Sequence, residues 1–300
     1  LIGLLTVVAV AVWVFRWYAV FQIAICVASA LAAEALFSRM RGRTAPLGDL
    51  SAAVTGLILG LSLPWSAPWH VGVVGSFAAI GLGKAAFGGL GQNIFNPAMV
   101  GRAFVMVAFA ASLAGGAYVR ADAALPILTQ ATPLSAAKEA AGTVAMPGLW
   151  PLFLGNVNGS LGETSALACL VGGLYLCWRR SAAWEIPVWT IAGAAGAAVV
   201  ANLLDPTTPL TVPHHLLAGA LLFCAFFIAT DPVSSPLSPK GRAIFGLGVG
   251  VLVVVIRALS AYPEGVVFAV LLMNAVTPLI NRGTVPKPFG GAAEPPGGAK

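Results

Sequence analysis

The run "WYAVFQIAICVASALAAEALFS", residues 17–38, decides the fold class. A helix crosses the hydrocarbon of a bilayer with roughly 20 predominantly apolar residues, and this run is long enough. Working outward, nine further apolar segments surround it, at 2–15, 49–63, 69–87, 97–114, 164–179, 183–203, 213–230, 241–258 and 263–281. The segment at 49–63 is short and Pro64 ends it. Composition agrees: 59% of the 300 residues are hydrophobic and only 9% are charged, against about a quarter charged in a soluble domain. The mean hydropathy is +0.92. Such a chain cannot coat itself for water, so lipid covers most of its surface. The expectation is an all-α polytopic membrane protein with about ten transmembrane helices.

Loop charges orient these helices. With the N-terminus in the cytoplasm, the inner side receives Arg39, Arg41, Arg43, Lys84, Arg179, Arg180, Lys240, Arg242, Arg282, Lys287 and Lys300. Arg102 joins them if it snorkels to that face. Arg16, Arg120, Lys138 and Arg257 fall outside, so twelve positive residues face in and four face out. That bias follows the positive-inside rule, and miscounting one helix would scramble it. Four parts result: a first five-helix half (1–114), an outer-side loop (115–163), a second five-helix half (164–282) and a flexible cytoplasmic tail (283–300) rich in Pro and Gly. An odd number of helices per half would invert one half relative to the other, and "IFNPAM" in the first half finds a weak counterpart in "LMNAVTP" in the second.

Polar interruptions inside the oil carry the chemistry. In "FGGLGQNIFNPAMVGRAF" (87–104), three glycines loosen the backbone before Asn93, Asn96 and Pro97. Two readings stand: Asn96 caps a helix that starts at Pro97, or the amides of Asn93 and Asn96 clamp a planar heteroaromatic ligand edge-on. Arg102 lies six residues on, where an arginine needs an anion, carbonyls or an aqueous cavity. The stretch "LGNVNGSLGETSAL" (154–167) holds more polar residues and glycines than a cap requires, although Ser160 and Glu163 fit a capping box. Asp231 closes an apolar run before Pro232, either as a turn former or as a carboxylate at the mouth of a cation path. Glu264 opens the last segment, where an acid favours a helix N-terminus. Asn274 and Pro278 interrupt that segment, a defect tolerated where neighbours satisfy the backbone.

Other classes are disfavoured. The net charge of +6 is explained by topology and is weak evidence for a nucleic-acid partner. No phosphate-binding loop, dinucleotide fingerprint or H-E-x-x-H motif occurs. Cys26, Cys169, Cys177 and Cys224 lie in apolar runs without a C-x-x-C pair and read as small buried thiols. His214 and His215 are adjacent and point in different directions on a helix, so no metal site is assigned. No signal peptide is recognisable, and a start at Leu1 predicts that a few residues precede it.

Four stretches together, "GLGQNIFNPAMVGRAF", "LGNVNGSLGETSAL", "ATDPVSSPLSPKGR" and "YPEGVVFAVLLMNAVTPLI", resemble one family over essentially the whole chain. It is the family of the D subunit of the Rnf complex and the B subunit of the sodium-pumping NADH:quinone oxidoreductase, and the resemblance is greater to the former. It implies a flavin-carrying subunit of an ion-translocating ferredoxin:NAD⁺ oxidoreductase in a bacterial inner membrane. Both termini would be cytoplasmic. Such a subunit relays electrons between redox centres on flavin- and iron–sulfur-carrying partners, coupled to Na⁺ or H⁺ movement, with no complete active site of its own.

In that family an FMN is joined through its phosphate to a threonine in an S/T-x-A-T motif. The matching residues are Thr129, Gln130, Ala131 and Thr132, so Thr132 is the expected attachment residue and Thr129 its motif partner. A separate flavin transferase would install the phosphoester. Gln130 stands where the family commonly has glycine, Pro126 where it has an acid, and the nearest upstream acid is Asp122. A second, non-covalent flavin, riboflavin in the sodium-pumping relative, would sit among the helices near Asn93 and Asn96. Arg102 is a further candidate cofactor-binding residue, and Asp231 and Glu264 are the ion-path candidates. A permease without a redox cofactor shares the broken helices but has no use for the T-x-A-T threonine.

Overall fold

The computed structural model describes residues 1–43, 46–113, 132–134, 147–155, 157–206, 208–260 and 265–284. Within them the protein is all-α and polytopic. Helices α1 (Ile2–Phe15), α2 (Trp17–Met40), α3 (Ser51–Ser62), α4 (Trp69–Gly81) and α5 (Pro97–Ala108) make the first part. The short α6 (Leu149–Leu154) leads to α7 (Ala166–Trp178) and α8 (Glu185–Leu204). After α9 (Val212–Leu217), a single turn α10 (Leu221–Phe223) runs into a π-turn over Cys224–Ile228. The helices α11 (Pro239–Leu259) and α12 (Val266–Thr284) close the bundle. Each of the ten apolar segments contains helix. Among the described residues, five helices are long and apolar enough to cross a membrane: Trp17–Met40, Trp69–Phe87, Glu185–Leu204, Pro239–Leu259 and Val266–Thr284.

Local chemistry sets several boundaries. Arg16 takes a left-handed φ of 53°, which separates α1 from α2 without a loop. Asn96 Oδ1 accepts the Ala98 and Met99 amides, and Pro97 occupies the first turn of α5. Ser238 and Pro239 repeat that device at α11, where the serine hydroxyl accepts the Gly241 amide at 3.0 Å. The segment 213–230 departs from the sequence expectation, since it is no single helix. Gly219 adopts a φ of 73°, and the Arg257 guanidinium captures the carbonyls of His215 and Ala218 at 2.7 and 3.0 Å. Those contacts satisfy backbone that the break would otherwise strand. Helix α12 continues through Gly283 to Thr284.

The two parts interleave. Near the start of α1, the Thr6 hydroxyl donates to the Ala168 carbonyl in α7 at 3.0 Å. Pro64, beyond α3, forms an isolated antiparallel bridge with Ser160, while the Gly162 amide donates to the Leu61 carbonyl at 2.7 Å. Small residues let α8 and α11 approach closely. A Cβ on Gly250 would run into the Thr190 carbonyl oxygen, and one on Gly193 would lie 2.5 Å from that of Leu247.

This contact gives a first prediction. Gly250→Leu is expected to prevent recovery of a monodisperse protein, because neither backbone can yield. Gly250→Ala should lower stability by about 1–3 kcal/mol through overpacking. Gly196→Ala, on the same helix as Gly193 with nothing near its Cβ position, should leave the melting temperature unchanged. Thermal melts of the purified protein check all three, and equal losses at Gly250 and Gly196 would contradict the packing account.

Candidate functional site

Polar side chains gather at two ends of the bundle. At the end where Arg41, Arg43 and Lys84 meet, Gly88, Gly89 and Gly91 all have positive φ and lead the chain to Asn93. Asn96 is fully engaged as a structural residue. Beyond its cap, its Nδ2 donates to the Ile228 carbonyl at 3.2 Å, and its amide N–H donates to Asn274 Oδ1 at 3.0 Å. Asn274 Nδ2 in turn donates to the Ser234 carbonyl at 3.1 Å, which the Thr277 hydroxyl also reaches at 3.2 Å. The two matched elements "IFNPAM" and "LMNAVTP" are therefore in direct contact.

Asn274→Leu should strand the buried Asn96 amide and cost about 1–3 kcal/mol. Melting of the purified protein reads that loss, and an unchanged melting temperature in Asn274→Leu would show that the bridge contributes nothing.

Asn93 differs from Asn96. Its Nδ2 donates to the Phe95 carbonyl at 3.1 Å, but its buried Oδ1 has no hydrogen-bond partner among the described residues. It lines a cavity of about 240 Å³ with Thr55, Lys84, Asn96, Thr230 and Asp231. Asp231 is a turn former that also lines this cavity. Its carboxylate closes a turn by accepting the Val233 amide at 3.2 Å and the Ser234 hydroxyl at 2.9 Å, and it also faces this cavity. Burial raises its pKa above the usual carboxylate range, against the lowering effect of those two hydrogen bonds.

A buried ion pair here escapes sequence reasoning. Lys84 Nζ lies 2.8 Å from Glu34 Oε2, with the two side chains 3% and 8% exposed. The ammonium also donates to the Ser51 hydroxyl at 2.7 Å, and Ser51 donates to Asp49 at 2.6 Å. In sequence Lys84 reads only as a topology signal, and Glu34 as part of an apolar run. The usable signal is the carboxylate itself, which is rare inside a spanning segment. Glu34 and Lys84 also line a second cavity, of about 530 Å³, together with Arg41 and Arg43. A third, of about 580 Å³, holds Arg180, Glu185 and Arg242, and shares Thr230 and Pro232 with the first. Positive residues assigned to one membrane face are thus found together.

Arg102 does not snorkel. It is 4% exposed in α5, and its Nη1 has no partner among the described residues.

At the other end, Thr132 sits beside Leu134, which is buried against Leu152 and Ala218. With Asn158, Glu163 and Gly219 these residues surround a small cavity of about 10 Å³. Glu163 Oε1 accepts the Ser160 amide, one of the two bonds of the expected box, and this closes a turn ahead of α7. The helix itself is capped by Ser165, whose hydroxyl accepts the Ala168 amide at 3.2 Å. The His214 ring meets the Thr211 hydroxyl at 2.6 Å and the Pro147 carbonyl at 3.2 Å, tying the start of α9 to the segment ahead of α6. Thr129 and Glu264 lie outside the described residues. Of the cysteines, Cys26, Cys169 and Cys224 are buried and not in disulfides, while Cys177 is half-buried.

Comparison with known proteins adds independent findings. A family model described as "NQR2, RnfD, RnfE family" matches residues 1–290. The chain is 42% identical to the D subunit of the ion-translocating oxidoreductase complex of Halorhodospira halophila, over 94% of this chain and 87% of that one. It is 41% identical to the D subunit of the Na(+)-translocating ferredoxin:NAD(+) oxidoreductase complex of Acetobacterium woodii, covering 97% and 88% respectively. The D subunit of the ion-translocating oxidoreductase complex of Stutzerimonas stutzeri is also 41% identical, covering 96% and 90%.

Proposed function

The chain belongs to the NQR2, RnfD, RnfE family, and from that premise we propose that it is the flavin-carrying membrane subunit of an Rnf-type complex. Membership supports a place in an ion-translocating oxidoreductase of several membrane and peripheral subunits. The finer reading is electron relay between flavin and iron–sulfur centres during ferredoxin:NAD⁺ oxidoreduction, coupled to Na⁺ or H⁺ transport across a bacterial inner membrane. The observation that carries it is the placement of Thr132, held by buried Leu134 at the end opposite the Glu34–Lys84 pair.

The residues fit a flavin at two places. Thr132 offers a hydroxyl for the phosphoester of a covalent FMN, installed by a flavin transferase. The small cavity beside it is too tight for the ring, which would lie outside it. Asn93 offers a buried acceptor with no donor among the described residues, suited to a ring N–H of a non-covalent flavin such as riboflavin. Asn96 serves that site only by holding the turn. Bound flavin supplies one-electron exchange with partner centres. The protein's own residues orient and shield it: Asn93 reads the ring edge, and Lys84 places a positive charge on the same cavity wall. Glu34, Lys84 and Asp231 are the proposed inner-side ion-path residues, as intramembrane ionisable groups commonly mark such paths.

Ten spans in two inverted halves fit this reading. Residues 62–68, "SLPWSAP", and 230–236, "TDPVSSP", share the pattern S/T-x-P-x-S-x-P. The first is bridged by residues 160–162 near Thr132, and the second by Asn274, which also holds Asn96, near Lys84. Opposite placement of a repeated element is what inversion requires.

Purification through a tag on this chain tests the proposal. Co-purifying flavin and iron–sulfur subunits, bleached by reduced ferredoxin and recoloured by NAD⁺, are expected. A colourless chain that runs alone would favour a permease instead.

A further inference from the structure

The reading above leaves Glu163 without a role. It is a buried carboxylate at the outer end, and it contrasts with Glu34 at the inner end. Lys84 neutralises Glu34, whereas no Lys, Arg or His nitrogen pairs with Glu163 among the described residues. One oxygen, Oε1, accepts the Ser160 amide, while Oε2 is buried with no hydrogen-bond partner among the described residues. An ionised carboxylate in a low-dielectric site without a counter-charge is costly, so the site favours a positive occupant.

The surroundings suit a small one. Glu163 lines the cavity of about 10 Å³ together with Asn158 and Thr132, so three oxygen-bearing side chains converge on it. That volume is close to the space for a single water-sized particle. Gly159 keeps the approach open, because a Cβ there would lie 3.0 Å from Glu163 Oε1. The bond from Gly162 to the Leu61 carbonyl fixes this loop to the first half of the bundle. Hard monovalent cations prefer oxygen ligands of this kind, and a thiolate or imidazole set is absent from the cavity lining among the described residues.

We propose that Glu163, with Asn158, binds a single monovalent cation at the outer end of the protein, in the cavity beside Thr132. The site would be the outer counterpart of the Glu34–Lys84 region, and it rests on the ion-translocating reading of the complex. Its cation would exchange with the water at that end of the bundle.

Equilibrium binding of radioactive Na⁺ to the assembled complex tests this, at fixed pH and with choline balancing ionic strength. Glu163→Gln should bind one Na⁺ fewer per complex than the wild type. Asn158→Ala should keep the count and weaken binding roughly tenfold. An unchanged count in Glu163→Gln, including no binding in either protein, overturns the site. Should Glu163→Gln fail to assemble, the wild type and Glu163→Asp are compared by infrared difference spectroscopy between Na⁺ and choline. A carboxylate band that responds to Na⁺ and shifts in the aspartate variant supports the site, and its absence overturns it. Ultraviolet fluorescence of the same samples separates the two claims: a flavin-bearing complex with no Glu163-dependent Na⁺ sinks the cation site alone.

Discussion

Thr132→Ala is expected to abolish every trace of covalently bound flavin in this protein. The measurement is in-gel fluorescence under ultraviolet light after denaturing electrophoresis, on protein matured beside its own transferase. Loss should be complete because a phosphoester needs a side-chain hydroxyl, and alanine has none. The fold should survive, since Thr132 is half-buried and the adjoining Leu134 anchor is untouched. A lost hydrogen bond at this position costs about 1 kcal/mol. Thr132→Ser, which restores a hydroxyl, should regain fluorescence. Thr129→Ala should retain it, because Thr129 is the motif's partner residue. Fluorescence persisting in Thr132→Ala would place the flavin on another residue.

Breaking the Glu34–Lys84 pair is expected to give the largest loss of stability. Both side chains are almost fully buried, and the Lys84 ammonium is held by Glu34 at 2.8 Å and by Ser51 at 2.7 Å. Lys84→Met would leave the Glu34 carboxylate without its counter-charge, at a cost of about 3–5 kcal/mol. Removing both charges, as in Glu34→Gln with Lys84→Met, should recover most of that loss, because an apolar or neutral pair avoids desolvation. Thermal melts of the purified complex read the difference. A double variant as unstable as Lys84→Met alone would mean that Lys84 contributes through packing rather than charge. The same double variant should still lose ion uptake into inverted vesicles if the pair belongs to the ion path.

Much of the architecture was legible because lipid imposes simple rules. Apolar run length located helix in all ten segments, and the cap at Asn96-Pro97 was readable as residue types. What escaped was tertiary. The break at Gly219 depends on Arg257, some forty residues away, collecting carbonyls that no local pattern reveals. Ser160 and Glu163 matched a capping box and made one of its two bonds, yet Ser165 took the helix, because two caps competed within one short stretch. Asn93 and Asn96 looked alike in sequence. Only the contact with Asn274 shows that one is committed to structure while the other keeps a free acceptor among the described residues. Glu34 was hidden by averaging, since one carboxylate barely alters the hydropathy of a long run.

Intact-mass spectrometry of this protein, taken from the native complex, tests the central claim most directly. The account predicts the chain mass plus one phosphoester-linked FMN, with the added mass on the peptide that contains Thr132. An unmodified chain, from cells whose transferase demonstrably flavinylates another target, would contradict it.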